Sequence, residues 1–351
     1  MPVQAGIVGR KRKGIYLSHM RMFFLSFFVW MALAAQAQQA TVRIVDSGTR
    51  TSLRGLSVVS DRVVWASGSN GKVARSSNGG ATWQWHTVPG FEKREFRDIE
   101  AFDSLQAVMI AIAEPAQIVR TADGGQTWQV VFTDSAKGMF LDAMDFRGRK
   151  GLVVGDPVNG RFYIARTKDG GQTWQPETVD QRPVAAPGEA CFAASGTNIH
   201  LLNNGSYYLV SGGLQSRLFR NGRAYPLPVM QGAETKGANG LLADGKQLWI
   251  AGGDFSRPDV QDSTVLVLEA KPPFALQHRV PLPYCSAIAR SGGYLLACGI
   301  RGIYLLAGNA PYTPQQLNAQ AFHTVKVSPD GKTVFFAGNN GRIARLVTGT
   351  R

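Results

Sequence analysis

A seven-bladed β-propeller of four-stranded antiparallel blades, all-β and closed by its N-terminal strand, is predicted by three observations. An eight-residue phrase occurs three times, as Ser76-Ser77-Asn78-Gly79-Gly80-Ala81-Thr82-Trp83, Thr121-Ala122-Asp123-Gly124-Gly125-Gln126-Thr127-Trp128 and Thr167-Lys168-Asp169-Gly170-Gly171-Gln172-Thr173-Trp174. Its tryptophans lie 45 and 46 residues apart, a period at which one repeat unit is a four-stranded blade. Beyond residue 40 the chain is a series of short apolar runs between glycine-rich turns, with no sustained helical period.

The phrase has a local physical reading. A hydroxyl and a carboxylate or amide two residues apart bond the backbone of a tight turn, glycine supplies positive φ, and the Trp packs between sheets. It resembles the Asp-box, or BNR, repeat of sialidases and other secreted propellers, with Asn78 departing at the acidic position. A turn with no chemistry of its own is the expectation.

Residues 1–37 read as an export signal. Arg10, Lys11, Arg12, Lys13 and Arg21 form a basic leader, Met22 to Ala35 is an apolar run of 14 residues, and Ala35-Gln36-Ala37 is an A-x-A cleavage site. Fourteen residues are short for a bilayer crossing. A mature chain of residues 38–351, one propeller domain without a transmembrane segment, periplasmic or extracellular, is therefore expected. Its cleavage removes five basic and no acidic side chains, so the formal charge falls from +14 to +9. The remaining basic residues are dispersed, which argues against a nucleic-acid partner.

Thr41 to Asp46 is a short alternating strand placed to complete the last blade and remove an exposed edge. Blade one runs from Arg54 to about Val88. Blade two takes Ile99 to Phe102, Ala107 to Ala113, Gln117 to Arg120 and Thr127 to Phe132. Blade three takes Ala143 to Phe146, Gly151 to Val154, Phe162 to Arg166 and Thr173 to Pro176. Blade four is expected to begin at Ala190 to Ala194 and to continue with Ile199 to Leu202, Tyr207 to Val210 and Arg217 to Arg220. Blade five holds Gly240 to Ala243, Leu248 to Gly252 and Val265 to Glu269, with a polar insertion from Asp254 to Ser263. Blade six holds Ser286 to Arg290, Tyr294 to Cys298 and Gly302 to Leu306. Blade seven holds His323 to Val327, Thr333 to Ala337 and Arg342 to Leu346. Three cysteines, Cys191, Cys285 and Cys298, exclude a disulfide-dense scaffold, and a bridge between Cys285 and Cys298 depends on strand register.

The phrases Arg54-Gly55-Leu56-Ser57, Phe96-Arg97-Asp98-Ile99-Glu100, Phe140-Leu141-Asp142-Ala143-Met144, Gly155-Asp156-Pro157 and Gly188-Glu189-Ala190-Cys191-Phe192-Ala193-Ala194-Ser195 resemble the photosystem II stability/assembly factor-like propellers, in their non-photosynthetic bacterial branch. The resemblance covers residues 50 to about 220. The photosynthetic branch of that family is seven-bladed, lumenal or periplasmic, and binds membrane-protein precursors during assembly, whereas the bacterial branch has no settled function. The resemblance thus implies the fold and export, and offers partner binding by analogy with the photosynthetic branch.

In a propeller the first strand of each blade lines the central channel, and successive connections alternate between the two faces. The octapeptide turns then lie opposite the face that carries the interblade and second-to-third-strand connections. On that second face Arg54, Arg97, Asp98, Asp142, Glu189, Lys236 and His323 are expected near the channel rim, joined by Glu114, Asp156, Asp254 and Arg301. Charge at the start of successive inner strands is not needed for packing and marks a candidate site.

Two function classes follow. One is a monomeric binding propeller whose charged rim grips a protein or polysaccharide partner. The other is a glycoside hydrolase, sialidase-like or endo-glucanase-like, using Asp98 with Asp142 or Glu189 as acid and base about 5–10 Å apart. A third convergent arginine, a Tyr/Glu pair and exposed Trp platforms are not evident, which favours binding. The five histidines are scattered, and no metal set, G-x-S-x-G phrase or cofactor motif is seen.

Overall fold

The computed structural model describes residues 1, 2, 6, 40–262, 264–307 and 310–348. The predicted signal segment lies outside the described residues. Two compact units are distinguished: Val42–Val347, and a second formed by residues 1–41 and 348–351.

The first unit is the predicted ring. From the axis outward, blade one is Leu53–Val58, Val64–Gly68, Lys72–Ser76 and Gln84–Thr87. Blade two is Phe96–Ala101, Ala107–Ala111, Ala116–Thr121 and Gln129–Asp134, and blade three is Leu141–Arg147, Lys150–Val158, Arg161–Thr167 and Gln175–Pro176. Blade four is Ile199–Leu201, Tyr207–Val210, Arg217–Arg220 and Arg223–Pro226. Blade five is Lys236–Asp244, Gln247–Asp254, Val265–Glu269 and Leu276–Val280. Blade six is Ala287–Ser291, Tyr294–Gly299, Gly302–Ala307 and Thr313–Asn318. Blade seven is Phe322–Val327, Val334–Gly338 and Ile343–Thr348, and its outer strand is Ala40–Asp46, so the N-terminal strand closes the ring as expected.

The apolar pattern explains why the sheets stack radially. The second strands Val64–Gly68, Ala107–Ala111 and Val334–Gly338 are buried over their whole length, because a neighbouring blade covers each face. Burying one Val, Leu or Phe side chain contributes about 1.5–3 kcal/mol, so these strands hold the ring together. The core is accordingly divided into clusters that straddle adjacent blades. Phe335 and Ala337 of blade seven meet Leu53 and Leu56 of blade one, and Trp65 of blade one meets Ile99 and Met109 of blade two.

Each octapeptide folds as its chemistry requires. In the second copy the Thr121 hydroxyl donates to Asp123 Oδ1 at 2.8 Å and accepts from the Gly125 amide at 3.0 Å. The Thr127 hydroxyl donates to Asp123 Oδ2 at 2.5 Å. Asn78 makes the same turn in the first copy: its Oδ1 accepts from the Thr82 amide at 2.9 Å, and its Nδ2 donates to the Thr82 hydroxyl at 2.8 Å. The second glycine of each copy approaches the second strand of the preceding blade, at Phe335, Trp65 and Val108 respectively. Trp83 stands edge-on to Phe335, and Trp128 edge-on to Trp65. The phrase therefore locks one blade to the last.

One expected strand is corrected. Ala190 to Ala194 is not the inner strand of blade four, which is Ile199–Leu201. Only Glu189–Ala190 is extended, and it pairs with Gly212–Gly213, which in turn joins blade five at Gly237. The residues that follow leave the sheet and cross the central channel. Arg97 Nη1 donates to the Ala193 carbonyl at 3.1 Å, and the Ser195 hydroxyl donates to the Ser286 carbonyl at 2.8 Å. Thr324 Oγ1 donates to the Ser195 carbonyl at 2.9 Å. Blades two, six and seven thus supply partners that a blade-four strand would have found in its own sheet. The channel is not open but floored by residues 191–196.

The cysteines are free and buried. Cys298 sits opposite Ala287, two residues beyond Cys285, so the hairpin register does not put the two thiols face to face.

Candidate functional site

The site begins with a repeated backbone irregularity. In five blades the pairing of the first two strands slips by one residue near the start of the inner strand: between Leu53 and Gly55, Phe96 and Asp98, Leu141 and Ala143, Ala238 and Gly240, and Phe322 and Thr324. The residues left unpaired are Arg54, Arg97, Asp142, Asn239 and His323. A bulge turns its extra residue out of the alternation of the strand and can aim it at a site. All five line one pocket of about 310 Å³ at the channel mouth.

The crossing segment floors this pocket with Cys191, Phe192, Ala193 and Ala194. Phe140, Asp156, Phe255, Tyr284 and Ile300 complete its wall from blades three, five and six and their connections. Asp156 lies near the end of its second strand, and Phe255 and Ile300 follow theirs. The pocket therefore opens on the face opposite the octapeptides, whose turns bond the first-to-second-strand connections, as in Gly124 N–H to the Leu105 carbonyl at 2.9 Å.

The wall is electrically mixed. Arg54 and Arg97 from blades one and two line it together with Asp142 and Asp156 from blade three, and Arg97 is near enough to Asp142 to favour its charged form. Arg97 is held by Glu95 as well as by the Ala193 carbonyl. Arg54 has no hydrogen-bond or ion-pair partner among the described residues; burial, reinforced by the nearby charge of Arg97, lowers its pKa to about 10. His323 is kept neutral: burial and then Arg54 lower its pKa to about 4, and its Nε2 lies 2.8 Å from Asn339 Oδ1. Asp156 accepts the Cys191 amide at 2.9 Å, and burial raises its pKa to about 6. Asp142 is 1% exposed, and burial with the neighbouring Asp156 lifts its pKa well above the carboxylate range. Burial likewise pushes the Cys191 thiol up, so it is no ready nucleophile.

Of the eleven rim residues expected, the structure brings Arg54, Arg97, Asp142, Asp156 and His323 together in this pocket. Asp98 is elsewhere, because the bulge at Arg97 shifts it one position along the strand. Its carboxylate lies under Gly196 and accepts the Ile99 and Met144 amides, each at 2.9 Å, thereby tying blade two to blade three. Asp145 repeats this tie to blade four by accepting the Leu201 amide at 2.6 Å. Beneath the crossing segment Lys326 faces Asp98 and Glu100, whose pKa values burial raises to about 8 and about 7 against the opposing pull of that lysine.

Glu189 is not at the pocket wall either. It is buried against Arg217, whose Nε donates to its Oε1 at 2.9 Å, and it accepts the Ala186 amide at 2.8 Å. Lys236 lies opposite Asp254 across the first two strands of blade five. Asp254 closes its own turn by accepting the Ser256 hydroxyl at 2.6 Å and Arg257 Nε at 3.2 Å. Glu114 is exposed and accepts the Gly138 amide, and Arg301 pairs with Asp259. Asn239, absent from the expected set, was visible as the polar member of Ala238-Asn239-Gly240, the same apolar-polar-small pattern as Leu53-Arg54-Gly55 and Leu141-Asp142-Ala143.

Groups of three or more His, Cys, Asp or Glu side chains able to hold a metal do not occur among the described residues. No helix among those residues is long and apolar enough to cross a membrane.

Residues 84–213 match the family model described as photosynthesis system II assembly factor YCF48. Over these residues the resemblance to the photosystem II assembly factor-like propellers is borne out. Among solved structures, YCF48 bound to a D1 peptide is 17% identical with a TM-score of 0.64, covering 88% of this chain and 97% of that one. YCF48 from Cyanidioschyzon merolae is 15% identical at the same TM-score, covering 87% and 98%. A catalytically inactive virginiamycin B lyase from Staphylococcus aureus with quinupristin is 14% identical with a TM-score of 0.58, covering 88% and 99%. At these identities the likeness to the structures is one of fold. No curated protein matches the chain.

Proposed function

We propose that this protein is an exported, non-enzymatic propeller that captures an extended segment of another protein in the pocket at its channel mouth. The observation that carries the reading is the convergence of five bulged polar residues on one cavity. Packing alone asks for none of these bulges, and each costs a ladder position. The YCF48 structure with its peptide supports the same class of function, and the matched family region spans Arg97, Asp142, Asp156 and the crossing segment.

The hydrolase reading loses its carboxylate pairs. Asp98 is committed to backbone amides below the crossing segment and Glu189 to Arg217, so neither shares a cavity with Asp142.

Arg54→Ala is the cleanest test, because it removes a charge that holds nothing else in the fold. Binding of envelope-protein peptides, read by fluorescence anisotropy, should weaken, while the melting temperature should fall by no more than about 2 °C because the side chain makes no hydrogen bond or ion pair among the described residues. Undiminished binding by Arg54→Ala would overturn the assignment of the pocket.

A further inference from the structure

Asp142 is the group that the fold does not explain. Both of its carboxylate oxygens are buried without a hydrogen bond. The Asp156 amide lies near enough to draw on the carboxylate, but its hydrogen bond goes to the Phe140 carbonyl at 2.9 Å. Other buried carboxylates nearby are provided for: Asp98 by two backbone amides, Glu189 by Arg217 and Ser211, Asp254 by Ser256 and Arg257. Native interiors rarely leave such a group bare, and one that is bare invites a functional explanation.

The chemistry of its surroundings narrows the complement. Asp156 stands beside it, so the locality is doubly acidic. Phe140, Phe192 and Phe255 present apolar surface in the same pocket, which the unpartnered Arg54 also lines. A hydroxyl donor could bond Asp142 but would bring no positive charge to a buried, doubly acidic locality that Arg97 offsets only in part. A hard metal ion would want six or more oxygens, which two carboxylates do not supply. A lysine or arginine side chain answers both requirements, with an apolar stem for the aromatic wall and a charged, multiply donating head for the acid.

We propose that Asp142 and Asp156 seat the head of a single Lys or Arg side chain of the bound segment, while an acidic neighbour in that segment engages Arg54. The assignment rests on the pocket being a peptide site. It adds the chemical identity of the anchor residue and predicts a basic residue close to an acidic one in any segment captured. A pocket of about 310 Å³ holds one long side chain and part of its neighbour, not a folded surface.

The experiment uses an array of heptapeptides capped at both ends, so that terminal charges cannot stand in for side chains. The best binder is then titrated, with and without its basic residue replaced by norleucine, against the wild type, Asp142→Asn and Arg54→Ala. Binders should be enriched in Lys or Arg. The norleucine swap should weaken binding to the wild type at least tenfold and to Asp142→Asn by less than threefold, whereas Arg54→Ala should leave the effect of the swap intact.

Binders without basic residues, or a norleucine effect undiminished in Asp142→Asn, would overturn the anchor while leaving the peptide site standing if Arg54→Ala still weakens capture. Failure to bind any capped peptide at millimolar concentration would remove both readings. Binding of neutral oligosaccharides that disappears in Asp142→Asn would reassign the seat to sugar hydroxyls and overturn the proposal. Should Asp142→Asn fail to fold, the norleucine comparison on the wild type decides alone.

Discussion

Gly196→Ala tests whether the segment crossing the channel is held in place as the structure indicates. Gly196 has φ +66°, where a side chain costs about 1–2 kcal/mol. A β-carbon there would also overlap the Asp98 carboxylate. Asp98 cannot move freely, since it accepts the Ile99 and Met144 amides, each at 2.9 Å, and Met144 belongs to the next blade. Displacing it leaves a buried amide unpaired, at about 1–3 kcal/mol. The expected loss is therefore about 3 kcal/mol, or about 6 °C in melting temperature at about 2 °C per kcal/mol for a chain of this size. Thermal unfolding followed by circular dichroism at neutral pH reads it directly. In an Asp98→Ala background the overlap is gone and the same glycine change should cost only the backbone share, about 1–2 kcal/mol. A drop of under about 2 °C, or an equal drop in both backgrounds, would refute the packing of the crossing segment against Asp98.

Three further expectations concern charged groups. Because burial raises the pKa of Asp142 above its unfolded value, the cost of this carboxyl is absent below about pH 4 and grows as pH rises toward the folded pKa; Asp142→Asn should therefore melt above the wild type at pH 8 and close to it at pH 4, and a gap that does not change with pH would contradict the reasoning. Arg217→Ala strands Glu189 as a buried, uncompensated charge and should cost about 3–5 kcal/mol in urea unfolding, much of which Glu189→Gln in the same chain should restore. In the second octapeptide, hydrogen bonds led by the Thr127 hydroxyl hold Asp123 down to about 2, so Thr127→Val should move its carboxyl titration, followed by NMR, up toward the ordinary range.

The octapeptides were legible because their chemistry is local. Thr121, Asp123 and Thr127 bond one another within seven residues, and Trp128 reports the neighbouring blade, so the repeat predicts the turn, the period and the side of the disc. Residues 190–194 misled for the opposite reason. Their short apolar run suits a strand, but the partners that decide their path, Arg97, Ser286 and Thr324, come from three other blades. The sequence puts Asp98 beside Arg97 on the rim, since consecutive residues share a neighbourhood. A single unpaired residue in the strand sends one into the pocket and the other beneath its floor.

The same bulge supplies the link from fold to site. A regular inner strand alternates its side chains between the two faces of its sheet, and both faces are covered by adjacent blades, so a charge placed there must be neutralised or buried at a cost. Slipping the register by one residue at the mouth releases that residue from the alternation without disturbing the strand below it, where Leu56, Ile99 and Val325 remain fully packed. Repeated in five blades, the device collects side chains spread over 270 residues of chain, Arg54 to His323, around one cavity. Blades four and six lack it; in blade four the inner strand starts late at Ile199 and the chain before it crosses the channel, whereas blade six keeps a regular inner strand at Ala287–Ser291. The wall of the pocket therefore comes from bulges in five blades, and its floor from the late start of blade four. Restoring a strand at Ala190 to Ala194 would open the channel and take away the surface on which a bound segment rests.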